Sequence, residues 1–253
     1  MILNYEIHQN SQSSQIPLIF IHGLFGSLSN LGMLARAFQQ TNTVVQIDLR
    51  NHGHSAHDEE MNYFVMANDV LETLDYLNIQ KFSMIGHSMG GKIAMQLALS
   101  TDRVEQLAVL DIAPFAYKER HHDEIFQALF AVEQANIETR QQAIEIMREY
   151  ISVEMVIQFL LKSFSKGKWL FNIHALYNHY QDITGWPNSE AACQNEALFL
   201  KGSLSPYISK PEHMEALAKQ FPHVEVITVE GAGHWLHAEK TQQVLDQLQK
   251  YIV

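Results

Sequence analysis

Short apolar runs alternate along this chain with stretches whose apolar residues recur at helical spacing. Runs at residues 17–21, 44–47, 82–85, 107–110, 197–200 and 224–229 predict strands. Near-continuous apolar runs of this kind suit parallel strands buried on both faces. Between them, Met66, Val70, Leu74 and Leu77 recur at helical spacing, as do Ile93 and Leu97, and, near the end, Val244, Leu245, Leu248 and Tyr251. The alternation predicts an α/β fold with a mostly parallel, doubly wound sheet. From residue 115 to 188 only helical patterns occur, with Val153, Val156, Ile157, Leu160, Leu161 and Phe164 as the clearest amphipathic stripe. The expected organisation is therefore a core of residues 1–114 and 189–253 interrupted by a helical cap insertion, 115–188. No internal repeat or low-complexity tract is present.

Composition adds exclusions. With 253 residues, 47% hydrophobic and 18% charged, the chain reads as an ordinary soluble globular protein. A formal charge of -11 argues against nucleic acid or an anionic membrane surface as partner. Cys193 is the only cysteine, so no intramolecular disulfide forms. Residues 1–6 have no basic, then apolar, leader pattern, and no window approaches the ~18 apolar residues of a membrane span, so a cytoplasmic location is expected.

The most informative stretch is Gly86-His87-Ser88-Met89-Gly90, which fits GxSxG and joins a predicted strand to helix-compatible residues. Such a sharp strand-to-helix turn holds its serine in a strained conformation, and larger residues at either flank would collide. Ser88 then stands exposed at the sheet edge, with backbone N–H groups of the following helix aimed at developing negative charge.

A serine hydroxyl needs a base, and the usual histidine pKa suits that task. Among 14 histidines, His234 in Gly231-Ala232-Gly233-His234 follows the last predicted strand, where two glycines let the loop fold back over the edge. His237 is expected to begin the last helix and face elsewhere, His22 to shape the next loop, and His87 to pack with its ring away from Ser88. In enzymes built this way the acid follows the serine and precedes the histidine. The loop after residues 197–200 reads Lys201-Gly202-Ser203-Leu204-Ser205-Pro206 and carries no carboxylate, so Asp111 at the preceding strand's edge becomes the candidate. Two other readings stay open: Ser205 in a weakened dyad with water, or Asp111 merely capping its loop. Asp48 precedes the serine and is expected, like Arg50, to pair with neighbouring loops. Acyl transfer also makes an oxyanion, for which Met89 and Leu24 offer backbone amides, with Phe25 close behind Leu24.

With these residues in place, the chain resembles the α/β-hydrolase superfamily and, within it, the small bacterial esterases. The resemblance runs end to end through HGLFGS at 22–27, DLRNHGHS from Asp48, GHSMGGK from Gly86, DIAP from Asp111, RHHDEIF from Arg120, LLKSF from Leu160 and GAGHW from Gly231. It implies an α/β-hydrolase fold and a serine esterase and thioesterase acting on acyl esters, acyl-CoA thioesters included. It also implies a helical cap over the site and an acid from the earlier strand, and it calls for no cofactor.

The expected cap is nearly balanced in charge, with 7 Lys plus Arg against 9 Asp plus Glu, and Lys118, Arg120, His121 and His122 cluster at its start. Arg120 and His121, with Phe25, are therefore the expected substrate-binding residues, the cluster attracting an anionic leaving group such as CoA. A zinc hydrolase competes, because His52, His54 and His57 have the spacing of a zinc signature, but Ala56 stands where that signature has aspartate. Lyases and C–C hydrolases of the same fold, and a catalytically silent binding protein, are further alternatives.

Overall fold

The computed structural model describes residues 1–187 and 190–252. The chain forms β1 (Tyr5–His8), β2 (Leu18–Ile21), α1 (Gly32–Phe38), β3 (Val44–Ile47), α2 (Tyr63–Tyr76), β4 (Phe82–His87), α3 (Met89–Ser100) and β5 (Val104–Leu110). Next come α4 (Asp123–Gln134), α5 (Arg140–Met147), α6 (Glu154–Leu161), β6 (Phe164–Ser165), β7 (Lys168–Trp169), α7 (Ile173–Asn178) and α8 (Tyr180–Thr184). The chain then returns through β8 (Ala197–Gly202), α9 (Pro211–Gln220), β9 (Val224–Val229), α10 (Leu236–Glu239) and α11 (Thr241–Tyr251).

Seven strands form one sheet in the order β1-β3-β2-β4-β5-β8-β9, in which only the β1–β3 pairing is antiparallel. Side chains alternate across a strand, so each strand feeds both faces. Ile19, Ile21, Met84, Leu107, Val109 and Phe199 point into one apolar cluster with α2 and α3, through Met66, Val70, Leu74, Ile93 and Leu97. Leu18, Phe20, Ile85, Ala108, Leu110, Leu198 and Leu200 point into the other, against Leu34 and Phe38 of α1 and Val244 and Leu248 of α11. Two-sided burial is why these strands carry apolar runs rather than alternation, and it is the doubly wound architecture expected.

The segment between β5 and β8 departs from expectation in one detail. Phe164 does not continue the helical stripe. Helix α6 stops at Leu161, and the chain turns back through Lys166 and Gly167, both at positive φ (50° and 75°), to pair β6 with β7. Gly167 suits that turn because a left-handed backbone costs it little. The expected return of the insertion at 188/189 falls on residues outside those described. Strand β1 was not foreseen. It lies at the sheet edge with alternating exposure and is held by pairing with β3. No helix among the described residues is long and apolar enough to cross a membrane.

Among the described residues, the segment between β5 and β8 shares its apolar core with the sheet. Phe126, Leu129, Met147, Ile157, Leu160 and Phe171 belong to the same apolar cluster as Phe25, Met89 and Ile112 of the sheet-bearing part. Phe25 packs edge-on against Phe126, with ring centroids 5.3 Å apart, and lies 5.3 Å from Phe171. Phe126 is buried to 1% exposure at this junction. Phe126→Ala should therefore lower unfolding free energy by about 3–5 kcal/mol in urea titration, while Phe64→Ala, on an exposed helix position, stays within about 0.5. Equal effects from the two substitutions would contradict a shared core.

Candidate active site

Parallel strands carry all their C-terminal ends to one edge, and that edge collects the loops after β2, β4, β5, β8 and β9. Ser88 sits on the turn from β4 into α3 at φ 54° and ψ −120°, a conformation that costs a non-glycine residue about 1–3 kcal/mol. Clearance, not backbone freedom, explains the flanking glycines. A Cβ on Gly86 would lie 2.4 Å from Gly90 O, and one on Gly90 would lie 2.3 Å from Ile21 O. Larger residues at either place would push α3 and β2 away from the turn.

His234 Nε2 lies 2.9 Å from Ser88 Oγ, and His234 Nδ1 lies 2.7 Å from Asp111 Oδ2. A carboxylate only accepts, so Nδ1 carries the proton and donates it to Asp111, leaving the Nε2 lone pair to accept the Ser88 hydroxyl. Asp111 is completely buried just beyond β5 and adopts a positive φ of 57°. Its Oδ1 accepts from Gly202 N at 2.9 Å, and its Oδ2 also accepts from the Ser205 hydroxyl. The end of β8, which carries no acid, thus supplies two donors to the acid on β5.

The loop after β9 is held to the rest of the edge by close approach. A Cβ on Gly202 would meet Gly233 O at 2.3 Å, so that glycine lets the loop lie on β8, and Gly231 turns it at φ 67°. His87 donates its Nε2 proton to His234 O at 2.9 Å, and its ring lies between those of His234 and His237, at 4.8 and 4.3 Å. The expected packing role of His87 thus includes anchoring the His234 backbone. Tyr207 also packs against His234, with ring centroids 4.2 Å apart. Nothing in the local sequence pointed to Tyr207.

The loop after β2 is fixed by two neutral histidines. His22 Nε2 accepts from Leu49 N at 3.1 Å and its Nδ1 donates to Gly23 O at 2.8 Å. His52 donates from Nδ1 to Arg50 O and accepts at Nε2 from Phe25 N at 3.2 Å. The Phe25 amide is therefore engaged, which removes it as an oxyanion donor. The Leu24 and Met89 amides have no protein acceptor among the described residues. His52 also has both ring nitrogens occupied and does not join His54 and His57 in a ligand set. Asp48 accepts from Leu28 N and His54 N, bracing two loops, while Arg50 pairs with Asp69 of α2 and donates to Glu60 O in the loop before that helix.

Ser88 borders two cavities. The larger, about 260 Å³, is walled by Ile151, Val156, Phe159, Leu160 and Trp235 as well as Phe25 and His121. The smaller, about 30 Å³, lies toward Met89, Tyr63, Tyr117 and Lys92. His121 and His122 border both. Two expectations are corrected here. Arg120 lines neither cavity; its guanidinium pairs with Asp123 at 2.8 Å and lies over the Tyr180 ring. His237 does not face elsewhere. It lies in the separate short helix α10, is buried, and borders the larger cavity, with Nδ1 lacking a protein partner.

Burial pushes His52 and His237 down to about 3, with neighbouring histidines, and for His237 also Lys162, adding to the effect. Above pH 6.5 both are neutral folded or unfolded. From pH 6.5 down to about 3 the unfolded chain takes up protons that the folded chain refuses, so stability falls across that window. Each group contributes up to about 1.4 kcal/mol per pH unit. His237→Phe should flatten the pH dependence of the urea midpoint between pH 6.5 and 4; superimposable wild-type and variant curves would contradict the neutral buried state.

Comparison with known proteins bears on this geometry. Residues 16–133 match the family described as alpha/beta hydrolase fold. The chain is 47% identical to Esterase YbfF of Escherichia coli (strain K12) over 243 residues, covering 96% of this chain and 95% of the relative. It is 35% identical to the sn-1-specific diacylglycerol lipase ABHD11 of Danio rerio, covering 94% of this chain and 78% of that protein. Among solved structures, a marine microorganism esterase superposes with a TM-score of 0.92 at 32% identity, covering 99% of both chains. The enol-lactonase from Burkholderia xenovorans LB400 superposes at 0.77 with 20% identity, covering 98% and 95% of the two chains, a likeness of fold alone.

Proposed function

The chain belongs to the alpha/beta hydrolase fold family and is an ester hydrolase of the esterase/lipase type, and we propose that it hydrolyses acyl esters and thioesters through Ser88, His234 and Asp111. The observation that carries this reading is the unbroken chain from Ser88 Oγ to His234 at 2.9 Å and on to Asp111 at 2.7 Å, beside an apolar cavity. Relatives named as esterases and as diacylglycerol lipases support the acyl ester as substrate class.

In the first half-reaction, Ser88 Oγ attacks the acyl carbon while His234 Nε2 takes its proton. The carbonyl pair moves onto oxygen, which the amides of Leu24 and Met89 receive. Collapse of this intermediate breaks the ester bond, and the proton on His234 passes to the departing alkoxide or thiolate. Water then attacks the acyl-serine, loses its proton to His234, and the acid leaves as Ser88 recovers that proton. Asp111 stays ionised throughout and stabilises the imidazolium that forms twice per cycle.

The acyl group fits the larger cavity. At about 260 Å³ it falls below the roughly 300–1,000 Å³ of sites for drug-sized ligands, which favours a compact acyl chain.

Steady-state kinetics on p-nitrophenyl esters and acyl-CoAs test the assignment. Ser88→Ala should lower kcat on the order of a million-fold, Asp111→Asn roughly ten-thousand-fold, and Ser205→Ala, which removes one donor to Asp111, about ten-fold. An Asp111→Asn enzyme with nearly full rate would overturn the role given to Asp111.

A further inference from the structure

One turn beyond Ser88, helix α3 carries a lysine whose side chain is among the largest buried in the molecule; Lys92 is 1% exposed. Its Nζ donates to three backbone carbonyls: Phe115 O at 2.9 Å, Thr184 O at 2.9 Å and Gly185 O at 2.6 Å. Phe115 lies where the chain leaves the sheet for the insertion, and Thr184 and Gly185 lie where it comes back. The neighbours complete a joint. Tyr117 N donates to Thr184 O at 3.0 Å, which bonds the outgoing crossing to the returning one. From α2, the Tyr63 hydroxyl donates to Ile183 O at 2.5 Å. The ammonium also lies 4.8 Å from the Tyr117 ring centroid and 5.5 Å from that of Tyr63.

Burying an ammonium costs several kcal/mol unless its hydrogens are matched, and no carboxylate of the described residues pairs with this one. Here three N–H groups meet three carbonyl oxygens, with two aromatic faces alongside. An apolar chain of equal length would fill the same space without the desolvation cost, so what the ammonium adds is direction. It ties both crossings to the helix whose first turn presents Ser88 and the Met89 amide. The small cavity beside Ser88 is walled by these same side chains, Lys92, Tyr63, Tyr117 and Ile183.

We propose that Lys92 is a positioning residue: it fastens both crossings of the insertion to α3 and so holds the insertion in register over Ser88. Its mechanical consequence stands on the contacts alone, and its kinetic consequence rests on the reading of Ser88 as nucleophile.

Hydrogen exchange followed by mass spectrometry on full-length Lys92→Met and Tyr63→Phe separates the two. Lys92→Met should speed exchange about ten-fold or more at residues 115–117 and 183–186 and in α4–α8, and Tyr63→Phe should do so less strongly, while β2, β4 and β5 keep their protection. On a short-chain p-nitrophenyl ester, Lys92→Met should raise KM by about ten-fold and lower kcat by a smaller factor. Unchanged exchange in the insertion, or faster exchange spread evenly over the sheet, would overturn the proposal. If Lys92→Met does not fold, Lys92→Gln, which keeps a shorter donor, is read the same way: faster exchange confined to the insertion supports the proposal and unchanged exchange there overturns it. An enzyme that fails to use Ser88 but shows the localised exchange would refute the catalytic reading and leave the joint in place.

Discussion

The hydrogen bond between His234 Nδ1 and the buried Asp111 carboxylate is the contact that the surrounding loops converge to make. It holds the ring in the tautomer whose free nitrogen faces Ser88, and in the proposed mechanism it places a negative charge where a positive one would form in each half-reaction. A carboxylate with no exposure is tolerable only when its oxygens are met by donors. Gly202 N, the Ser205 hydroxyl and His234 itself supply them. The parallel sheet makes this possible, because it delivers the ends of β5, β8 and β9 to a single edge as adjacent neighbours.

Around that contact, the structure trades local freedom for alignment. Ser88 is held at φ 54°, Asp111 at φ 57° and Phe25 at φ 61°, all in a region that side chains disfavour. Each is fixed from outside: Ser88 by the close passage of Gly86 and Gly90, Asp111 by its donors, and Phe25 by His52 and by the aromatic rings of the insertion. His87, in the turn itself, reaches across to the His234 carbonyl, so the Ser88 turn and the His234 loop are joined through the His234 backbone as well as through the Ser88–His234 side-chain contact. Lys92 extends the same logic outward, from the helix beneath Ser88 to the segment that roofs it.

Much of this was legible in the sequence because it rests on local pattern. Buried parallel strands must be apolar on both faces, so β2 to β5, β8 and β9 stood out, and the spacing of glycines about Ser88 and before His234 marked two turns of the edge. Asp111 emerged because the β8 loop offers no acid. What escaped depends on partners distant in sequence. Strand β1 is short and half exposed, and pairing with β3 makes it a strand. The Phe25 amide is engaged by a histidine 27 residues away, which no local motif reveals. Arg120 read as a free cation because its pairing with Asp123 depends on how α4 begins. His237 was misplaced because the chain breaks between α10 and α11, turning that ring back onto His87.

The central claim, that Ser88 is the hydroxyl activated by His234 and Asp111, meets its most direct test in covalent labelling. A fluorophosphonate incubated with the wild-type protein, followed by digestion and mass spectrometry, should leave one adduct on the peptide holding Ser88, and His234→Ala should abolish it. An adduct on a different residue, or labelling of Ser88 at an undiminished rate without His234, would contradict the account.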